Sequence, residues 1–250
     1  MELYNKLLPR LPGGKVLEVC IGLHWTAVVA EVGGEQCCGL ASTLIGNHQH
    51  GMVDVPQAGE LESFAGPELA RFVLSDRPTL RSVGAAAANA LLSSQPNEWV
   101  EANASEIIIK HGRQRNVALI GHFPFIPELR AEVGQLHVLE INPAEDELPA
   151  AAAPDILPRA DVVAITSLTL LNRTHEDLLG LCSTDALVLL LGPSTPLSPI
   201  LFDYGVDILS GAVVISVDQV LRAIKQGANF RQVHQAGVQL VTLYRPGLSD

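Results

Sequence analysis

The sequence predicts an α/β protein in which a small α+β domain is followed by a Rossmann-like, doubly wound domain with a mostly parallel sheet. From about Asn116, strand-like runs that are mostly apolar and do not alternate polar with apolar residues are separated by helix-like segments; the runs are VALIG, LHVLEI, DVVAIT and ALVLLLG. Strands of this kind are buried on both faces, which is typical of a parallel sheet covered by helices. The first hundred residues instead carry short strands at hairpin spacing, KVLEVCIG, WTAVVAEV and CCGLAST, followed by helical segments.

A polar stretch that contains proline, SSQPNEWVEANAS, separates the two patterns. This composition is typical of a linker, so we place the domain boundary between Gln95 and Arg113. We therefore expect one domain over residues 1–100 and a second over residues 112–250. Within the second, SVDQVLRAIKQGAN predicts a helix that ends at Gly227, and VQLVTLY predicts the last strand.

The composition and net charge of the chain indicate which classes of binding partner are not expected. The chain has 250 residues and a formal net charge of −11, and it lacks a cluster of lysine and arginine. Nucleic acid and anionic membrane surfaces are therefore not expected as partners, because both require basic side chains. No apolar run approaches the ~18 residues that would cross a bilayer, and the N-terminal stretch MELYNKLLPRLPGG does not read as a signal peptide. We expect a cytoplasmic protein with a small-molecule ligand. We also expect a homodimer, because dimers are the most common oligomers of soluble proteins.

The loop that follows the first strand of the parallel sheet reads GHFPFIP. Ligands bind beyond the carboxyl ends of such strands, so Gly121, His122 and Phe123 are candidate ligand contacts. The bulky side chains differ from the G-x-G-x-x-G pattern and disfavour a conventional dinucleotide site. Glu140 ends the next strand, where related folds use an acid to accept hydrogen bonds from ribose hydroxyls. It predicts a nucleoside-like or polyol ligand, although an acid also ends many strands without such a role.

The third strand is followed by TSLTLLNRTHEDLL, which is rich in hydroxyl groups. Thr166, Ser167 and Thr169 offer hydroxyls, and Asn172 or Thr174 can cap the next helix. Capping alone would explain Asn172. Four hydroxyl or amide side chains within seven residues exceed what one cap requires, which favours contact with a ligand.

The fourth strand ends in GPSTPLSP. Gly192 permits a sharp turn, and Pro193 and Pro196 stiffen the loop. We expect Ser194 and Thr195 to lie beside the N-terminus of a helix, where free N–H groups favour an anion. The alternative is an ordinary helix start in which a hydroxyl cap precedes a proline.

A metal site is a further candidate. The chain has four cysteines without C-x-x-C spacing, and they are expected to be buried thiols in a reducing compartment. Cys37 and Cys38 precede His48 and His50 by about ten residues, and thiolate with imidazole suits zinc, nickel or copper. Neighbouring residues on a strand face opposite sides, so one cysteine only can join a shared site. We take Cys38, His48 and His50 as candidate ligands of a divalent transition metal, against the alternative of buried cysteines and surface histidines.

Long motifs carry a resemblance to a known family. At ALIGHFPFIP, ADVVAITSLTLLNRTHEDLL and LLGPSTPLSPILFDYGVD the chain resembles the "putative heavy-metal chelation" family, and WTAVV and SVGAAAANAL resemble its N-terminal half. The resemblance implies an enolase N-terminal-like domain before the Rossmann-like domain, with a site between them for a pterin-, flavin- or metallophore-like molecule. The residues carried over by motif are His122, Phe123, Thr166, Ser167, Asn172, Ser194, Thr195 and, from the AANA helix, Asn89. Ser167 stands where members often carry glycine.

The sequence is compatible with three functions. The first is an enzyme that condenses or hydrolyses a small anionic or heterocyclic metabolite, with His122 as general acid or base. The second is a binding protein for a metal or a metal chelate that performs no chemistry. The third is a protein similar to methyltransferases that use S-adenosylmethionine, although the glycine-rich first loop usual for that cofactor is missing.

Overall fold

The computed structural model describes residues 2–46, 53–93 and 99–248. Its strands are β1 (Lys15–Ile21), β2 (Trp25–Val32), β3 (Glu35–Ser42), β4 (Asn116–Ile120), β5 (Gln135–Glu140), β6 (Leu148–Pro149), β7 (Val162–Thr166), β8 (Leu187–Leu191), β9 (Ile208–Val214) and β10 (Val238–Tyr244). Its α-helices are α1 (Glu2–Leu7), α2 (Gly66–Ala70), α3 (Pro78–Leu92), α4 (Ala104–Gly112), α5 (Ile126–Glu132), α6 (Ala153–Ile156), α7 (Leu168–Asn172), α8 (His175–Leu181), α9 (Val217–Lys225) and α10 (Phe230–Gln235).

The chain divides into two compact units. Unit 1 comprises Met1–Glu98, Pro193–Ile200 and Gly211–Leu240, and unit 2 comprises Trp99–Gly192, Leu201–Ser210 and Val241–Asp250. Across the described ranges, we find no helix with the length and apolar character needed to cross a membrane. The domain ranges taken from the sequence stay a prediction.

Unit 1 is built on an antiparallel sheet with the order β1-β2-β3. One face of the sheet packs against α9, where Ala27 and Val29 of β2 join Val220 and Ile224 in a buried cluster. Residues alternate between faces along a strand, so Gly39 of β3 lies on the other face, against α3. The sheet is therefore buried on both sides, which explains the nearly continuous burial of β2.

The alanine-rich helix α3 comes unusually close to its neighbours. A Cβ atom added to Gly39 would lie 2.1 Å from the backbone nitrogen of Ala90 in α3. One added to Gly84 of α3 would lie 1.9 Å from the backbone nitrogen of Val73. Since both distances are far shorter than a van der Waals contact, small residues at these positions are what allow the helix to pack directly on backbone.

Unit 2 is built on parallel strands within a seven-stranded sheet of order β10-β9-β8-β7-β4-β5-β6. Each strand between β9 and β6 in this order pairs with its neighbour in parallel. Val117 of β4 packs in a core cluster with Ile108 of α4 and Leu129 of α5. Its neighbour Ala118 faces the other way and is also fully buried. The predicted α/β class, with a mostly parallel sheet and a small α+β part, is confirmed.

The order of the strands reverses between β4 and β7. The chain runs outward from β4 through β5 to β6 on one side and from β7 through β8 to β9 on the other. In an open parallel sheet such a reversal leaves a crevice beyond the carboxyl ends of the two central strands. Gly121 follows β4 there, with a φ of +106°.

Three elements differ from the sequence-based expectation. Helix α4 begins at Ala104, inside the stretch interpreted as a linker, with the Asn103 side chain accepting a hydrogen bond from the Ser105 backbone. Strand β9 was not predicted, because Ser210 and Gly211 interrupt its apolar run. No α-helix follows directly on the fourth strand, where a short 3₁₀ helix spans Pro199–Tyr204. The prolines of that loop cannot donate the backbone hydrogen bonds that an α-helix needs.

Candidate functional site

A cavity of about 700 Å³ lies in unit 2 at the point where the strand order reverses. Its volume is typical of pockets that take small molecules. The lining comes from the ends of β4, β5 and β7, from residues 150–154 around the start of α6, and from α7 and α8. The residues are Ile120, Gly121, His122, Leu139, Glu140, Ile141, Asn142, Ala150, Ala151, Ala153, Pro154, Thr166, Leu168, Thr169, Asn172, Thr174, Asp177, Leu178 and Leu181.

The strand ends bring the predicted residues together. Gly121 and His122 follow β4, Glu140 is the last residue of β5, and Thr166 is the last residue of β7. A Cβ atom added to Gly121 would lie 3.0 Å from the Cβ of Thr166. Because Gly121 also has a positive φ, glycine is what lets the chain turn this close to the neighbouring strand.

The polar side chains of the cavity are two carboxylates together with hydroxyl, amide and imidazole groups, which can both donate and accept hydrogen bonds. Glu140 and Asp177 contribute the acidic groups, and Thr166 and Asn172 contribute a hydroxyl and an amide. Among the described residues that line the cavity, none is lysine or arginine. The lining therefore favours neutral or cationic groups and repels phosphate, which departs from the anionic ligand that the sequence suggested.

His122 forms a short contact with an acid that sequence analysis missed. Its Nδ1 lies 2.7 Å from Oε1 of Glu147, whose side chain is only 3% exposed. The Ala144 backbone N–H donates to Oε2 of the same carboxylate at 2.9 Å. The hydrogen bond from the Ala144 N–H is the largest cause that lowers the pKa of Glu147 below its usual range, and the hydrogen bond with His122 is the second. Neighbouring acids surround Glu147 in AEDELP, so no spacing in the sequence distinguishes it.

Local hydrogen bonds already engage several of the hydroxyls. Thr169 Oγ1 donates to the Thr166 carbonyl at 2.7 Å, and Thr166 Oγ1 accepts from the Leu168 backbone at 3.3 Å. Asn172 Oδ1 accepts from the Thr174 hydroxyl at 2.7 Å, which forms a turn ahead of α8. Thr174 stands at the N-cap of α8 and makes no capping bond with its side chain. These residues thus hold the loop in shape while they face the cavity.

Ser167, Gly192 and Phe123 are near the cavity in sequence but are not among the residues that line it. Ser167 is buried, and its backbone N–H donates to the Leu191 carbonyl at 2.7 Å. A Cβ atom on Gly192 would lie 2.8 Å from the Ser167 hydroxyl, so the glycine makes room for the serine. Phe123 stacks on Phe125 with ring centroids 5.1 Å apart. Their assignment as ligand contacts stays a prediction.

Ser194, Thr195 and Asn89 belong to unit 1. The Ser42 backbone N–H donates to Ser194 Oγ at 2.9 Å, and Asn89 Nδ2 donates to the Leu40 carbonyl at 2.9 Å. Both side chains therefore satisfy backbone groups of β3, which lies at the edge of its sheet. Thr195 is 3% exposed, and its hydroxyl has no hydrogen-bond partner among the described residues.

The helix N-terminus expected beside Ser194 and Thr195 is not formed, because the 3₁₀ helix begins only at Pro199. The anion-binding interpretation of this loop therefore lacks the row of free N–H groups on which it depended. Ser194 and Thr195 as ligand contacts stay a prediction.

The described residues do not fit a metal site. Cys38 is 3% exposed, and burial raises the pKa of its thiol to about 12, which keeps it protonated near neutral pH. Metals bind the thiolate. Within residues 2–46, 53–93 and 99–248, no three His, Cys, Asp or Glu side chains are grouped as metal ligands. His48 and His50 lie outside the described residues, so their assignment stays a prediction.

Two family models match the chain, DUF4213 over residues 4–92 and DUF364 over residues 103–242, and both are described as "putative heavy-metal chelation". The uncharacterized protein MJ0500 of Methanocaldococcus jannaschii is 28% identical over 222 residues, which cover 84% of this chain and 83% of that protein.

Two solved structures of DUF364 family proteins with unknown function are similar. The one from Desulfitobacterium hafniense has a TM-score of 0.82 and 26% identity and covers 98% of both chains. The one from Pyrococcus horikoshii has a TM-score of 0.80 and 22% identity, with 96% of this chain and 97% of that chain covered. The second likeness bears on the fold alone.

Proposed function

The chain belongs to the family described as "putative heavy-metal chelation", and from that premise we propose that unit 2 binds a small heterocyclic metabolite with neighbouring hydroxyl groups. The ligand is neutral or cationic and occupies the cavity at the ends of β4, β5 and β7. The observation that carries the proposal is the convergence of Glu140, Thr166 and Asp177 on one cavity with no lysine or arginine among its described lining residues.

Glu140 supplies the recognition of hydroxyl groups. It ends the strand next to β4, the place where dinucleotide-binding folds use an acid to accept hydrogen bonds from a ribose. Its Oε1 accepts from the Ile141 backbone N–H at 2.9 Å, which holds the carboxylate at the strand end. A ligand with two adjacent hydroxyls can donate to such a carboxylate.

The charge of the lining selects against phosphates. At an effective dielectric constant of about 20, two like unit charges about 4 Å apart repel by roughly 4 kcal/mol. Even a third of that energy lowers affinity by about tenfold. An unphosphorylated compound should therefore bind at least about tenfold more tightly than its phosphate ester.

Isothermal titration calorimetry with matched compounds tests the proposal. The pairs are adenosine with adenosine monophosphate and riboflavin with flavin mononucleotide, and 2′,3′-dideoxyadenosine tests the need for hydroxyls. We expect a preference for an unphosphorylated compound, loss of affinity with the dideoxy compound, and at least about tenfold weaker binding in Glu140→Gln. Glu128→Gln, at an exposed acid of α5, is the matched control and should bind like the unmodified protein. Tighter binding of both phosphate esters would contradict the proposal.

Binding of a metal chelate is a second candidate, and the same acidic lining favours it because cationic complexes are attracted to carboxylates. A thermal-shift assay with zinc, nickel and copper salts, with and without EDTA, addresses it. A metal-dependent shift that survives in the His48→Ala, His50→Ala double variant and disappears in Glu140→Gln would support a cation in the cavity. A shift lost in the double variant would support the segment that contains the two histidines.

A further inference from the structure

A histidine and a nearly buried glutamate form a pair at the rim of the cavity. The His122 ring is 65% exposed, while the Glu147 side chain is 3% exposed. His122 lines the cavity, and its Nδ1 atom lies 2.7 Å from Oε1 of Glu147, which is not among the residues that line it. The carboxylate therefore engages one ring nitrogen, Nδ1, and leaves Nε2 as the ring nitrogen that is open to a ligand.

The partners of Glu147 determine which imidazole nitrogen carries the proton. An ionised carboxylate only accepts hydrogen bonds, and Oε2 already accepts from the Ala144 backbone N–H. The same contacts lower the pKa of Glu147, so the carboxylate is charged near neutral pH. Oε1 can therefore face His122 Nδ1 only if Nδ1 carries a hydrogen.

We propose that Glu147 is a positioning residue that fixes neutral His122 as the Nδ1–H tautomer, so that Nε2 accepts a proton from a ligand in the cavity. This rests on the proposed function, since it assigns the chemistry of the same site. The substrate class is a small molecule with an acidic O–H or N–H group.

The proton transfer is balanced within the pair and the ligand. The ligand O–H or N–H bond breaks, its electron pair stays on the ligand heteroatom, and the proton forms a bond to Nε2. The resulting imidazolium keeps its Nδ1–H donated to the Glu147 carboxylate, which stabilises the positive charge. The proton returns along the same path, so no further reactant is required.

The substitution Glu147→Gln should reverse the tautomer of His122, that is, which of its ring nitrogens carries the hydrogen. The Ala144 N–H donates, so it selects the amide oxygen of the glutamine and leaves the amide NH₂ group facing His122 Nδ1. Nδ1 must then accept, and the ring proton moves to Nε2. The exposed acid Glu145 in the same loop provides the matched control, Glu145→Gln.

Nitrogen-15 NMR of the histidine rings in the full-length protein without added ligand tests the proposal, with the His122 signals assigned by their loss in His122→Gln. The expected result is the Nδ1–H tautomer in the unmodified protein and in Glu145→Gln, and the Nε2–H tautomer in Glu147→Gln. An Nε2–H tautomer in the unmodified protein would overturn the proposal, and this reading does not depend on how well any variant folds. An unchanged tautomer in a folded Glu147→Gln variant would equally overturn it.

Reaction with diethyl pyrocarbonate provides a readout of the Nε2 lone pair. We expect His122 to be modified at least about fivefold more slowly in Glu147→Gln than in Glu145→Gln, as measured by mass spectrometry of the peptide; equal rates would count against an accepting Nε2. Both measurements are made without a cavity ligand, so they are independent of the calorimetry. Failure of adenosine and riboflavin to bind would remove the proposed ligand and leave the tautomer result standing.

Discussion

The side chain of Ser194 allows two roles to be separated by stability measurements. Sequence analysis predicts a ligand contact, whereas the structure shows its Oγ accepting a hydrogen bond from the Ser42 backbone N–H at 2.9 Å. Ser194 is 1% exposed, so the substitution Ser194→Ala admits no obvious replacement for the lost acceptor. We expect this variant to be less stable than the unmodified protein even when no ligand is present.

The magnitude follows from the cost of an unsatisfied backbone donor. Removing one partner of a buried hydrogen bond costs about 1–3 kcal/mol, and the partly buried Ser42 group places the loss near the lower half of that range. For a chain of this length, about 1–2 kcal/mol corresponds to a fall in melting temperature of roughly 2–8 °C. Urea unfolding measures the free energy directly, with an unchanged dependence on urea concentration expected.

Thr195→Val provides the matched comparison in the same loop. The Thr195 hydroxyl is buried without a hydrogen-bond partner among the described residues, and valine has nearly the same shape. Removing an unsatisfied polar group should leave stability unchanged or raise it by up to about 1 kcal/mol. If Ser194→Ala proves as stable as the unmodified protein, or Thr195→Val is the less stable of the two, the reasoning is refuted.

Three further predictions concern other parts of the chain. Gly39→Ala should lose about 2–3 kcal/mol in urea unfolding, because its Cβ would meet the Ala90 backbone at 2.1 Å, whereas Gly13→Ala, with nothing within 4 Å of its Cβ, should lose much less. The Cys38 thiol should resist iodoacetamide at pH 8 in the native protein and react in urea, as judged by the mass of its peptide; rapid native labelling would contradict its burial. Since the pKa of Glu147 is lowered in the folded protein, its carboxylate stabilises the fold above the unfolded value of about 4.3. The stability advantage over Glu147→Gln should therefore be present at pH 7 and vanish as the pH falls through the folded pKa; an advantage that persists at pH 2 would contradict this.

The parallel sheet could be predicted because β8 is apolar along its whole length and β4 and β7 are apolar except for Asn116 at the start of β4 and Thr166 at the end of β7. Such runs are a strong local signal. The family resemblance, stated from long motifs, is confirmed by the two family models. The topology of a parallel sheet also predicts that residues after neighbouring strands lie together, and His122, Glu140 and Thr166 line one cavity. Their role as ligand contacts stays a prediction.

Other features of the site depend on contacts that no local pattern encodes. Position after a strand does not determine where a side chain points, so Ser167 is buried beside Gly192 rather than facing the cavity. Asp177 lies on a helix and Glu147 in an acidic loop, and both come to the cavity region only through the fold. Asn89 donates a hydrogen bond to the Leu40 carbonyl of the edge strand β3. The sequence around Asn89 in its own helix gives no indication of this contact.

The most direct test of the cavity as the ligand site is hydrogen–deuterium exchange measured by mass spectrometry, with adenosine or riboflavin at saturating concentration. We predict slower exchange in the segments that contain lining residues, namely residues 120–122, 139–142 and 166–174. This protection should disappear in Glu140→Gln and persist in Glu128→Gln. Protection confined to segments outside the cavity lining, or equal protection in the two variants, would contradict the claim that this cavity holds the ligand.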